Sequence, residues 1–422
     1  MKRRTFLKQM LGSGLMLGAG LGGLGTARAA GNGRVLVVVF LRGGWDGLNV
    51  AVPYGDDAYY SLRPTIRIAP PSAGDANSAL DLDGFFGFPR AMASIHALYQ
   101  EGRVAVLPAV LYPAASRSHF EGQDIVEDAA ITPASSGWLA RYLAAAPGGS
   151  AAQRVLSLTA GVPRSLHGAL SVPAYLTLSG LTLANTQKDR DMLSAVMAAE
   201  YGRAPAAGNA SAVALHNAAN QLLPEMGELT AINALPVEGG AVYPATTFGT
   251  QMRQAAALVK SKPGLELITL DLGGWDTHRD QGGGQPTGQM ALLLKQFSDS
   301  VGAFFQDLSG YGDRVTLLAT SEFGRTAAEN GSFGTDHGNA TTWLAIGAGV
   351  HGGIHTGTGW PGLAPDQLYE GRYLAHTIDF RNVYAECLNR VLGLANPGLV
   401  MPGYGRWGLW RESPTLNVVG IL

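Results

Sequence analysis

The tetrapeptide Gly-Gly-Trp-Asp occurs twice, at 43–46 and at 273–276. Each copy follows an apolar run that reads as a buried strand, 35–41 and 265–270. In open parallel sheets, ligands bind beyond the carboxyl ends of the strands. Glycines there allow sharp turns and close approach. Two readings of the paired aspartates are open: Asp46 and Asp276 converge on one site, or each caps a helix. His278 follows the second aspartate by two residues. The run 315–320 ends in Ser-Glu-Phe-Gly-Arg, which adds Glu322 and Arg325, and Asp336-His337-Gly338 precedes a further apolar run at 343–346. Carboxylates mixed with imidazoles suit one or two divalent cations such as Zn²⁺ or Mn²⁺. Without a cation such a cluster of carboxylates would repel itself. Asp46, Asp276, His278, Glu322 and His337 are therefore the expected metal ligands.

A nucleophile is sought at Ser118, which opens a helical stretch at 119–129. Partial positive charge at a helix N-terminus stabilises an alkoxide. The competing reading is a plain N-cap, with Glu121 completing a capping box. Arg325, Arg117 and Arg42 are candidates to hold an anionic group, because guanidinium matches phosphate or sulfate bidentately. His351, His355, His376, His96 and His216 read as loop, cap or structural histidines. There is no Gly-x-Gly-x-x-Gly after the first strand, no phosphate-binding loop and no Gly-x-Ser-x-Gly elbow, which argues against nucleotide cofactors and against a serine esterase of the elbow type.

These residues need a scaffold. The runs 35–41, 104–110, 155–158, 265–270, 315–320 and 343–346 are continuous and apolar, as expected of strands buried on both faces. Helical spacing recurs between them, at 89–101, 119–129, 138–145, 189–201, 212–222, 249–260, 288–308 and 380–392. Alternation of this kind predicts an α/β protein with a mostly parallel central sheet covered on both sides. A stretch at about 166–242, rich in Ala, Asn and Leu, reads as a mainly helical insertion covering the site. A polar stretch at 56–88 reads as a long loop forming a rim or lid.

The N-terminus carries a targeting signature. Lys2-Arg3-Arg4 precedes Phe6-Leu7-Lys8, then a glycine-diluted apolar stretch, then Ala27-Arg28-Ala29. Basic, apolar and small-residue zones in that order predict a cleaved signal, and the paired arginines the twin-arginine type. Residues 1–29 are thus expected to engage the twin-arginine translocase and be removed after Ala29, leaving 30–422 as one periplasmic or extracellular domain. The chain has 30 basic and 32 acidic residues. Removing the five basic residues of the signal leaves 25 against 32, a net charge of −7, which disfavours nucleic acid or an anionic membrane surface as a partner. No later run is long enough for a membrane anchor. Cys387 is the sole cysteine, so no intramolecular disulfide exists and stability must come from the core.

Taken together, FLRGGWDGLN (40–49), SRSHFEGQD (116–124), GWLARY (137–142), LGGWDTH (272–278), SEFGRT (321–326) and Asp336-His337-Gly338 resemble a bacterial family of unknown function, exported by twin-arginine signals, within the alkaline phosphatase-like superfamily. The resemblance implies a three-layer α/β/α fold and a metal-dependent hydrolase of phosphate or sulfate esters. It implies Asp46 as a metal ligand, Ser118 as nucleophile, Asp276 with His278 as further ligands, and His337 as another. Where the superfamily often has Asp-His, this chain has Glu322-Phe323, one imidazole fewer than a two-zinc site uses. The alternative is a non-catalytic exported protein that holds a glycan or an envelope partner, with Trp45, Trp275 and Trp360 available for stacking.

Overall fold

The computed structural model describes residues 33–113, 115–132, 134–168, 171–181, 187–201, 210–404 and 419–422. The expected export signal lies outside the described residues.

The central strand β1 (Val35–Leu41) is VLVVVFL, and every residue in it is buried. Its β-branched side chains suit the pleat on both faces. Leu36, Val38 and Phe40 face one core, with Trp138, Trp343, Phe380 and Tyr384. Val35, Val37, Val39 and Leu41 face a second, with Phe248, Phe297 and Phe304. Each fully buried side chain of this size contributes about 1.5–3 kcal/mol, and two such cores account for a chain whose cysteine is free and buried.

The remaining strands are β2 (Ala79–Asp81), β3 (Gly87–Pro89), β4 (Val104–Leu111), β5 (Val155–Leu158), β6 (Leu267–Leu272), β7 (Val315–Thr320), β8 (Thr341–Gly347), β9 (Gly353–Ile354) and β10 (Ile378–Asp379). The main sheet runs β10-β4-β8-β7-β1-β6-β5, and β9 also pairs with β4. β1 is parallel to β6 and β7, β5 to β6, and β9 and β10 to β4. β8 alone runs antiparallel to its neighbours β4 and β7. The expected sheet is thus mostly parallel with one reversed strand. The reversal matters, because the loop entering β8 lies at the same edge as the loops leaving β1, β4, β6 and β7.

Helices α1 (Asp57–Leu62), α2 (Ala93–Gln100), α3 (His119–Asp128), α4 (Trp138–Ala145), α5 (Ala151–Arg154), α6 (Gln187–Tyr201), α7 (Ala210–Asn233), α8 (Thr247–Ser261), α9 (Gln289–Asp307) and α10 (Phe380–Glu386) complete the fold. α2, α8 and α9 cover one face; α4 and α10 cover the other. This is a three-layer α/β/α architecture. The long α6 and α7 fall within the expected helical insertion, and Leu229 and Ile232 of α7 join the core on the α8 side. The stretch 56–88 is not the long loop expected: it folds α1 and the β2–β3 hairpin, and its Arg63 reaches the buried centre. No helix among the described residues is long and apolar enough to cross a membrane.

Candidate metal centre

The two Gly-Gly-Trp-Asp turns pack against each other. Gly43 has φ +120°, and a Cβ there would lie 2.7 Å from the Asp276 backbone nitrogen, so no larger residue fits. Trp45 and Trp275 are buried and meet edge to face at 5.6 Å. Their indole N–H groups donate to the carbonyls of Thr342 and Leu272. Trp360 packs on Phe85 and Phe86. Trp45 and Trp275 are therefore core residues, and their rings offer a glycan no surface.

The two aspartates part company. Asp46 is buried, its carboxylate gripped by Arg63 through Nη1 (2.5 Å) and Nη2 (2.9 Å) and by Gln281 Nε2 (2.6 Å). Gln281 Oε1 in turn accepts from Thr277 and Thr335. Such a buried pair holds loops in register, and Asp46 is not among the residues whose ligand atoms converge. Asp276 is half exposed at the sheet edge, and that is where the imidazoles gather.

His119, Asp276 and His337 each offer one ligand atom, all within 4.8 Å of one another. The Oδ1 of Asp276 lies 3.4 Å from His119 Nε2, 3.0 Å from His278 Nε2 and 3.2 Å from His337 Nε2. The Nε2 atoms of His278 and His337 are 3.1 Å apart. The opposite ring nitrogens are all engaged by acceptors. His119 Nδ1 donates to Glu322 Oε1 (2.8 Å), His278 Nδ1 to Asp336 Oδ1 (3.2 Å) and His337 Nδ1 to the Arg117 carbonyl (2.7 Å). An acceptor at Nδ1 fixes the tautomer, so each neutral ring presents a bare Nε2 lone pair to the cluster. His119 Nε2 is buried and has no hydrogen-bond partner. A buried polar atom left unsatisfied is costly, and a divalent cation removes that cost. The separations from Asp276 Oδ1 to His119 Nε2 and His337 Nε2, 3.4 and 3.2 Å, are also of the length that two ligands of one ion with bonds of about 2.0–2.2 Å would show. The donor set suits a divalent cation.

Glu322, expected as a ligand, stands behind His119. Its Oε1 accepts from His119, from the Gly43 backbone N–H (2.9 Å) and from Gln123 (3.1 Å), and its Oε2 from Ser321 (3.0 Å). Burial pushes this carboxyl up, but the hydrogen bonds outweigh it and hold it below the usual range. Arg325 turns inward. It donates to the carbonyls of Gly44, Thr335, Gly43 and Trp275 and to Asp276 Oδ1 (2.6 Å), which clamps both turns together and aims Asp276. The guanidinium is buried, so no face is left for an anionic substrate. Burial raises Asp276, but Arg325 outweighs it and the carboxyl falls to about 2. His337 is held below its usual value, chiefly by burial. The other two arginines are also ion-paired: Arg42 with Glu127 and Asp271, Arg117 with Glu370.

Ser118 is the N-cap residue of α3, but its side chain makes no cap hydrogen bond. The expected Ser118–Glu121 box is replaced by Ser116, whose Oγ accepts from the Ser118 N–H (3.2 Å) and donates to Glu121 (2.7 Å). The Ser118 residue is exposed, one position before His119. In the sequence His119 reads only as the first residue of a helix. The available signal was its place after β4, at the edge that also bears Asp276 and His337. His351 and His355 are loop residues bonded to backbone carbonyls.

The family model described as a protein of unknown function (DUF1501) matches residues 105–403. The chain belongs to the DUF1501 family. That span contains every residue of the cluster; the first strand, its Gly-Gly-Trp-Asp turn and the segment of Arg63 precede it. No curated protein matches the DUF1501 chain. Solved structures similar to it include the lipoteichoic acid synthase LtaP from Listeria monocytogenes, at 8% identity over 78% of this chain and 69% of that one, with a TM-score of 0.30. The phosphonate monoester hydrolase of Agrobacterium radiobacter shares 12% identity over 85% and 74%, with a TM-score of 0.33. The C-terminal periplasmic domain of EcEptC from Escherichia coli, in a complex with Zn, shares 10% identity over 89% and 88%, with a TM-score of 0.35.

Proposed function

We propose that this protein is an exported, metal-dependent hydrolase of phosphate or sulfate esters. The observation that carries the reading is the convergence of three imidazole Nε2 atoms on Asp276 Oδ1, each ring locked from behind by an acceptor. His119, His278, His337 and Asp276 would hold the ion, with zinc the best match to nitrogen-rich donors. Bound there, the ion supplies a Lewis acid that acidifies a hydroxyl or water and offsets developing negative charge. Glu322 and Asp336 orient His119 and His278, and Arg325 aims Asp276. Asp46 is assigned to the scaffold. Ser118 supplies an exposed, uncapped hydroxyl beside His119 and is the candidate nucleophile, with water as its competitor. The N-terminal signature supports a site of action outside the cytoplasm.

The second reading, a non-catalytic holder of a glycan or envelope partner, rests on Phe323. Its ring is buried and stacks on His119 at 4.9 Å, and it stands at the sequence position where the resemblance would place another imidazole. The two readings separate in one experiment: metal content of the purified protein together with turnover of p-nitrophenyl phosphate and sulfate. A folded protein that neither carries nor takes up a divalent ion overturns the hydrolase. Bound metal without turnover of either ester favours the binder.

A further inference from the structure

Each imidazole of the cluster is held at one edge, by an acceptor on Nδ1. A hydrogen bond at one edge fixes a point and leaves the plane of the ring open, because the torsion that turns a histidine ring has broad wells. A contact on the face of the ring is needed to set that plane. For two of the three imidazoles a single residue supplies it. The Phe323 ring stacks on His119 at 4.9 Å with 30° between the planes, and it meets His337 at 5.2 Å with 40°. His119 and His337 pack on each other edge to face at 4.2 Å, and His278 rests on His337 at 4.8 Å. The three imidazoles are thus built outward from one phenyl ring.

That ring has no room to move. Phe323 is fully buried. A Cβ at Gly44, where φ is +63°, would lie 2.7 Å from Phe323 Cε2, and a Cβ at Gly122 in α3 would lie 3.1 Å from its Cδ1. Glycine in the first Gly-Gly-Trp-Asp turn and glycine in α3 therefore both make space for the phenyl group. The backbone on either side of it is tied down: the Gly324 N–H donates to the Asn339 carbonyl (2.7 Å) and Trp343 Nε1 to the Ser321 carbonyl (3.2 Å). Glu322 and Phe323 are consecutive and divide one task between them. The carboxylate takes the edge of His119 and the phenyl ring takes its face.

We infer that Phe323 is a positioning residue of the histidine cluster: its ring sets the planes of His119 and His337, and with them the angle at which their Nε2 atoms face Asp276. The inference rests on the reading of the cluster as a cation site. It gives a role to the residue that stands where the resemblance would place another imidazole. Stacked and edge-to-face rings have preferred geometries, and an aliphatic side chain of similar bulk fills the same space without imposing one.

The test compares the full-length protein with Phe323→Leu, and with Phe323→Met should the leucine variant fail to fold. Three readouts are taken: zinc affinity by competition with a chromophoric chelator, the visible bands of the cobalt(II)-loaded protein, and the imidazole Nδ1–H resonances of His119 and His337 in the metal-free protein. The variant should bind zinc roughly 10–100-fold more weakly, the range of outer-shell losses. Its cobalt bands should differ from those of the wild type, and both Nδ1–H resonances should be lost to exchange with water as the rings swing off their acceptors. A lower Tm with the cobalt bands and zinc affinity unchanged would reduce Phe323 to a packing residue and overturn the inference. Retention of both Nδ1–H resonances would overturn it as well. A wild-type protein that takes up neither zinc nor cobalt would sink the metal reading alone, and the loss of the Nδ1–H resonances in the variant would still support the positioning role.

Discussion

The Nε2 atoms of His278 and His337 lie 3.1 Å apart, with Asp276 Oδ1 within 3.2 Å of both. Two bare imidazole lone pairs at that distance repel unless a proton or a cation lies between them. His278→Ala and His337→Ala are each expected to lower bound zinc from about one equivalent to a small fraction, measured by elemental analysis after dialysis. Either variant retaining full metal would show that the cluster is not the ligand set.

In the proposed site, Glu322 would act on a bound ion only through His119. Glu322→Gln keeps the shape but removes the carboxylate that receives the Nδ1 proton. Outer-shell losses of this kind reduce metal affinity by roughly 10–100-fold. Competition with a chromophoric chelator reads that shift. Unchanged affinity would show that His119 needs no partner.

Asp46 and Asp276 occupy matching positions in their turns, yet opposite outcomes are expected. Breaking the buried Asp46–Arg63 pair from one side costs about 3–5 kcal/mol. Asp46→Asn should therefore lower unfolding free energy in urea while the folded protein binds a full complement of zinc. Asp276→Asn should lose zinc. If Asp46→Asn loses zinc while stability is unchanged, Asp46 is a ligand after all.

Ser118→Ala separates the two candidate nucleophiles. A loss of kcat by several orders of magnitude with metal content intact marks the hydroxyl as the attacking group. A change within about threefold assigns attack to water, because the hydroxyl makes no cap bond whose loss would disturb α3.

Two of the shifted groups give the alkaline and acid ends of the pH response. Hydrogen bonding to Glu322 leads the causes that raise His119 above its usual 6.5, so the metal-free protein gains stability from the protonated ring. That gain is complete below about pH 6.5 and disappears as pH rises through the folded value. Asp276 is depressed from 3.8 to about 2; its contribution is present above about pH 4 and is lost as pH falls towards 2. Chelator-treated protein should thus show a falling Tm above neutrality. Zinc-loaded protein should show the reverse trend, since acid returns protons to the ligands. Parallel Tm profiles for the two forms would contradict the cluster as the binding site.

Most of the sheet was legible because its strands are unbroken apolar runs, and β1, β5 and β7 begin and end where the sequence places them. β6 was expected at 265–270 and lies at Leu267–Leu272. Asp271 looks like a strand terminator, but Arg42 pairs with it at 2.9 Å and carries the strand past it. The direction of β8 was not legible, since an apolar run has no polarity of its own. That Asp276, His278 and His337 share one sheet edge was legible from their spacing after or before strands. The separation of Asp46 from Asp276 could not, because it depends on Arg63, which comes from a segment read as loop. Arg325 was misjudged for the same reason: which carbonyls a guanidinium will meet is decided by turns 50 and 282 positions away.

Those distances along the chain have a temporal meaning. The clamp of Arg325 on Gly43 closes a span of 282 residues, and His119 finds Glu322 across 203. No fragment that ends before His337 has the full set of donors, and none that ends before Arg325 can lock the first turn against the second. If the cluster holds a cation as proposed, that cation would have no complete site during synthesis until His337 has been made. Acquisition of the cation would be one of the last events in the protein's maturation, and a metal-loaded molecule certifies that its long-range topology is already correct.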